Sequence, residues 1–152
     1  MLTKTTKILS PSQKAHKTAR WAKTMTRWLI KYTCNKGVKW KFVEFDGVGK
    51  AESRGIVDFI AIRKDHRETA GLKRGDLFEI ILLQVKGGSA RFPNDSDIDR
   101  LVKVAKFHRA KAIVLAEWKL GKKPNLYRLV NRMWKLESPM EIFVKKKSKF
   151  IM

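Results

Sequence analysis

The chain has 152 residues, of which 35 are Lys or Arg and 14 are Asp or Glu, giving a formal net charge of +21 with 43% hydrophobic residues. That apolar content separates it from disordered basic tails, and the length suits one compact domain, residues 1–152. No apolar stretch approaches the roughly 20 residues that span a bilayer, Met1–Ser10 lacks the apolar core of a signal peptide, and a lone cysteine, Cys34, excludes an internal disulfide and a Cys-rich zinc site. A reducing, cytoplasmic setting is expected. Excess positive charge repels itself, and a polyanionic partner relieves it, nucleic acid ahead of an anionic membrane surface.

Ser10-Pro11 reads as a helix start, with serine as cap and proline in the first turn. Residues 11–33 then carry Ala15, Thr18, Ala22, Met25, Leu29 and Tyr32 at helical spacing, widened by Trp21 and Trp28. The other face holds Lys14, Lys17, Arg20, Lys23, Arg27 and Lys31 and no acid, so phosphate contact weighs equally with a solvated face. Asn35-Lys36-Gly37 ends this helix. Val38–Phe45 reads as a strand with Val38, Trp40, Phe42 and Glu44 on one side, and Asp46–Gly49 turns into Lys50–Arg54. The run Gly55–Ile62 and the run Phe78–Lys86 are the next two strands, separated by a polar stretch, Arg63–Asp76, that reads as an exposed hairpin loop. Gly87-Gly88-Ser89 breaks the third strand after Lys86 and leaves backbone room there. Asn94, Asp95 or Ser96 caps a second helix to about Ala110, with Ile98, Leu101, Val102, Val104 and Ala105 as its apolar stripe. Ala112–Trp118 is a buried strand, and Asn125–Val130 its hairpin partner across Gly121–Pro124. Ser138-Pro139 starts a short element, and residues 144–152 form a basic tail. Helix, three strands, helix, two strands predicts an α/β sandwich around a mixed sheet, with the second helix as crossover.

Both long apolar runs read as strands covered on each side, yet each carries polar residues. An ionised Asp58 inside the first is expensive unless a cation or donors meet it. Gln84 and Lys86 project to one face of the second, with Val85 opposite. Were these strands neighbours, Asp58, Gln84 and Lys86 would converge at one end of the sheet, a metal-and-lysine site suited to phosphodiester chemistry. The plainer alternative is a buried Asp58–Lys86 ion pair. His16, His66 and His108 show no metal-ligand spacing, Asp95, Asp97 and Asp99 are helix-start acids, and no phosphate-binding Gly-rich loop is present. The five tryptophans are assigned to core and interface rather than to base stacking.

This order, with Ile56-Val57-Asp58-Phe59-Ile60 and Leu83-Gln84-Val85-Lys86-Gly87, resembles the PD-(D/E)XK nuclease superfamily in its Gln-x-Lys form. Archaeal Holliday-junction resolvases and Mrr-type restriction nucleases are the branches it resembles, over roughly residues 11 to 118. The resemblance implies a restriction-endonuclease-like mixed sheet flanked by helices and a Mg2+-dependent endodeoxyribonuclease, with Mn2+ as substitute. Asp58, Gln84 and the Val85 carbonyl would hold the metal, and Lys86 would orient water or steady the charge of the reacting phosphate. Family members often add an acid from the first helix; Gln13 or His16 occupies that region here, so Glu52 is expected to compensate, with Glu44 either a second ligand or the partner of a nearby lysine. Lys14, Lys17, Arg20, Arg27, Arg54, Arg91, Arg100, Lys103, Lys106 and the Lys145–Lys149 tail are expected to hold phosphates. DNA, branched or junction-like, is the expected partner, with a homodimer to cut two strands, no membrane, and a nucleoid-associated location. The alternative is a catalytically inactive nucleic-acid-binding protein of the same fold; a basic RNA- or surface-docking subunit ranks third.

Overall fold

The computed structural model describes residues 8–34, 39–44, 56–66, 70–88 and 90–144. Helix α1 (Pro11–Thr33) starts with a reciprocal capping box: the Gln13 amide donates to the Ser10 hydroxyl at 3.2 Å, and the Ser10 amide donates to the Gln13 side chain at 2.9 Å. Strands β1 (Lys41–Glu44), β2 (Phe59–Asp65), β3 (Leu77–Gly87), β4 (Ala112–Trp118), β5 (Asn125–Val130) and β6 (Met133–Glu137) form one sheet in the order β1-β2-β3-β4-β5-β6. Only β3 and β4 are parallel; the other neighbours are antiparallel. A parallel pair needs a crossover, and helix α2 (Asp95–Phe107) supplies it, capped by Asn94 and Asp97 in a second capping box. A short helix, α3 (Pro139–Phe143), follows β6.

Alternation along the strands divides the core in two. On one side Phe59, Ala61, Ile81, Leu83, Val114 and Ala116 pack with Ala22 and Ile30 of α1 and with Ile142 and Phe143 of α3. On the other, Ile56, Val57, Leu82, Ile113 and Leu129 pack with Ile98, Leu101 and Ala105 of α2. The molecule is thus a mixed sheet between helices, the α/β architecture expected. The Phe143 carbonyl, left without an intrahelical partner at the end of α3, accepts from the Trp40 indole at 3.1 Å and the Arg63 guanidinium at 3.0 Å, and the Cys34 thiol lies 3.9 Å away.

Several boundaries differ from expectation. The strand of β2 continues through Arg63, Lys64 and Asp65, which the polar composition assigned to a loop; Arg63 faces Glu79 across the ladder and pairs with it, and Lys111 adds a second cation at 3.2 Å. Helix α2 stops at Phe107, three residues early. Arg109 takes a left-handed φ of 53°, and the Ala110 amide bonds back to the Ala105 carbonyl at 2.8 Å while the Arg109 amide reaches Lys106, a Schellman closure. A third strand, β6, follows β5 where only two strands were expected after α2; Asn131 and Arg132, both at positive φ, make the turn. The first strand is shorter, Lys41–Glu44, with Val38 and Phe45 outside the described residues.

Candidate active site

The C-terminal end of β3 brings the polar residues of the two apolar runs together. Asp58 lies one residue before β2 and brackets Gln84: its amide donates to the Leu83 carbonyl at 2.9 Å, and its Oδ2 accepts from the Val85 amide at 2.6 Å. Its Oδ1 faces Lys23 Nζ of α1 at 3.7 Å, with the two side chains 20% and 17% exposed. The carboxylate is therefore met by a backbone donor and an ammonium group, as a buried acid requires.

Gln84 is 4% exposed, and its Oε1 has no hydrogen-bond partner among the described residues. Alternation sets Gln84 and Lys86 on the α2 side of the sheet, away from Leu83 and Val85. Lys86 is half-buried, and its ammonium makes no ion pair or hydrogen bond among the described residues. The plainer reading of a buried Asp58–Lys86 pair is not what is observed: the ammonium beside Asp58 belongs to Lys23. In register with Lys86 on β4 is Glu117, within hydrogen-bond reach (3.4 Å) of the Asn125 side chain. Burial and the Glu117 charge push the Tyr127 phenol above its usual pKa.

Gly87 serves the opposite face from the one expected. A Cβ there would meet Thr18 Cγ2 at 3.1 Å and Ala22 Cβ at 3.4 Å, so the glycine admits α1 against β3 rather than opening space beside Gln84 and Lys86. That crossing is what carries Lys23 to Asp58. One turn further, Arg27 Nη1 meets Glu44 Oε1 at 2.8 Å, so Glu44 has an arginine partner and Arg27 has a carboxylate beside it. Gln13 is occupied by the helix cap, and the side chain of His16 lies outside the described residues, as do Glu52, Arg54 and Lys145–Lys149. Lys14, Lys17, Arg20, Arg91, Arg100, Lys103 and Lys106 are all exposed. A cavity of about 410 Å³ lined by Lys39, Lys41, Ile62, Arg63, Lys64, His66 and Phe78 lies toward the far end of β2 and includes none of Asp58, Gln84 or Lys86.

Asp58 Oδ1 and Gln84 Oε1 are the side-chain oxygens at this end of the sheet not engaged by the Val85 amide; Oδ1 faces Lys23 of α1, whereas alternation turns Gln84 toward α2. One carboxylate and one amide oxygen suit Mg2+, which keeps several waters. A buried carbonyl-type oxygen left unmatched costs about 1–3 kcal/mol, and a bound cation would remove that deficit. No group of three or more His, Cys, Asp or Glu residues able to hold a metal occurs among the described residues. None of the described helices is long and apolar enough to cross a membrane.

Lys23 and Glu117 are the site neighbours that sequence reasoning passed over. Lys23 looks like every other cation of its helix, and Glu117 like a polar end to a buried strand. No protein-family model matches the chain, and no curated protein is significantly similar to it.

Proposed function

We propose that the chain is a Mg2+-dependent DNA endonuclease of the restriction-endonuclease-like type, acting on branched DNA as a homodimer. The observation that carries this reading is the buried Gln84 Oε1, without a hydrogen-bond partner among the described residues, on the segment of β3 that Asp58 brackets through its contacts to Leu83 and Val85, with Lys86 next along the same face as Gln84. The order β1-β2-β3-β4, with the crossover helix between the parallel pair, supports the same reading. Asp58 and Gln84 would hold the metal, which when bound would polarise the scissile phosphate and acidify a water. Lys86 then orients that water or offsets charge on the phosphate oxygens. Exposed cations of α1 and α2, with Arg91 between β3 and α2, hold flanking phosphates, which sets position without reading sequence.

The second reading, an inactive nucleic-acid-binding protein of this fold, is favoured by Lys23, whose ammonium already faces the Asp58 oxygen a metal needs. Incubation with supercoiled plasmid and a four-way junction, in Mg2+, Mn2+ or EDTA and beside Lys86→Ala, separates the two. Metal-dependent cutting lost in the variant supports the nuclease. Salt-sensitive binding without cutting, indifferent to metal and to Lys86→Ala, sinks it and supports the second reading.

A further inference from the structure

The outer face of α1 carries aromatic rings that the core does not use. Trp28 is 64% and Tyr32 68% exposed, and their rings stack at 6.0 Å between centroids with an interplanar angle of 16°. Trp21, one further step along the same stripe, is partly exposed and lies edge-on to Trp118. Helical spacing places Lys14 and Lys17 on this stripe, and both are exposed, while the Lys31 ammonium lies over the Phe42 ring, 5.8 Å from its centroid. From Lys14 to Tyr32 it extends about 27 Å, at about 1.5 Å per residue. No acidic residue occurs anywhere in α1.

Two occupants could cover such a face, and charge decides between them. A second copy packing α1 on α1 would bring Lys14, Lys17, Arg20 and Lys31 of both chains together with no acid on either helix to offset them. A polyanion with exposed flat rings meets the cations and the aromatics at once. Duplex DNA offers phosphates but keeps its bases stacked inside; unpaired nucleotides offer both.

We propose that the outer face of α1 is a platform for single-stranded nucleic acid, with unpaired bases stacking on Trp28 and Tyr32 and with Lys14 and Lys17 holding the adjoining phosphates. The platform adds unpaired nucleotides to the substrate of the endonuclease reading, yet it uses none of Asp58, Gln84 or Lys86 and stands without them.

The test titrates the full chain, in EDTA, with an oligo-dU, an oligo-U and a duplex of equal length, following tryptophan fluorescence and anisotropy. The single strands are expected to quench the fluorescence and to bind more tightly than the duplex; preference between the two oligomers identifies the sugar. Trp28→Ala with Tyr32→Ala should weaken single-strand binding by about tenfold or more. Lys14→Ala with Lys17→Ala should make the salt dependence shallower by about 1.4 in log–log slope, at about 0.7 per single-strand phosphate. Trp28→Phe should lose most of the quench while retaining binding, a result that general damage to the fold would not produce. Equal binding by the aromatic double variant overturns the proposal, as does equal binding of duplex and single strand. A dimer that this variant dissolves, with no single-strand binding by the parent, overturns it in favour of self-association. Running Lys86→Ala in parallel keeps the two readings apart: it should bind single strands like the parent whether or not the parent cuts.

Discussion

Gln84→Glu changes the chemistry of one buried side chain with almost no change of shape. Gln84 is 4% exposed and stands between the two residues, Leu83 and Val85, to which Asp58 is bonded. A second carboxylate there meets both burial and the charge of Asp58, and each favours its protonated form. Raising its pKa from about 4.3 to about 7 is worth at most about 3.5 kcal/mol at high pH, so a loss of about 2–3.5 kcal/mol is expected. The sign follows from linkage. Below about pH 4 both states are protonated and nothing is lost; the loss grows as pH rises through the unfolded value and levels off above the raised native one. For a chain of this size, melting in EDTA at about pH 8 should therefore fall by roughly 6–12 °C, and the loss should mostly disappear by about pH 4.5. Millimolar Mn2+ or Mg2+ should reverse it, because the added charge strengthens a cation site that exists only in the folded chain. An unchanged melting temperature at about pH 8 in EDTA would refute the buried setting assigned to Gln84. A lowered one that neither cation restores would refute the metal site.

Lys23→Met removes the ammonium 3.7 Å from Asp58 Oδ1, so calorimetric Mn2+ binding should tighten several-fold while melting in EDTA falls; unchanged affinity would show that Lys23 does not compete for that oxygen. Trp118→Phe deletes the indole N–H that donates to the fully buried Thr26 hydroxyl at 2.7 Å, and urea unfolding should register a loss of about 1–2 kcal/mol, with under about 0.5 contradicting the assignment. Arg109→Gly relieves a left-handed φ of 53° at the end of α2 and should add about 1 kcal/mol; a less stable variant would mean that the arginine side chain contributes more than its backbone costs. Burial pushes the Cys34 thiol above its ordinary pKa, against smaller opposing effects of Arg63 and Trp40. It should therefore resist a disulfide reagent in the native protein at about pH 8 and react at once in urea; prompt native reaction would contradict its burial.

The layers of this fold are visible in the residues because each depends on a local signal. Ser10-Pro11 and Asn94 cap the two long helices, and the apolar runs around Val57 and Leu82 mark β2 and β3 as covered on both sides. What escaped depends on neighbours far along the chain. Arg63 looks like a loop residue until Glu79, itself met by Lys111, and the Phe143 carbonyl are brought to it. Strand β6 lies open to solvent over most of its length, and its Asn131-Arg132 turn lacks the glycine that usually announces a tight hairpin. At the site, the approach of Asp58 to the Gln84 segment follows from two run ends in adjacent strands. The partnership of Lys23 does not, because nothing distinguishes that lysine from Lys17 or Lys31 until α1 is laid across Gly87.

The Phe143 carbonyl ties the order of synthesis to the order of assembly. Its donors, Cys34, Trp40 and Arg63, precede it by 109, 103 and 80 residues. As the chain leaves the ribosome, the corner formed by the end of α1, β1 and β2 has no means of satisfying the Trp40 indole internally, nor of covering itself with Ile142 and Phe143. Closing a loop of about a hundred residues is slow beside hairpin formation, so that corner sets late, after the α2 side has had its full complement of chain. A transcript cut short before Ser138 would yield a polypeptide with all six sheet strands encoded but this corner left open, a natural target for proteolytic clearance.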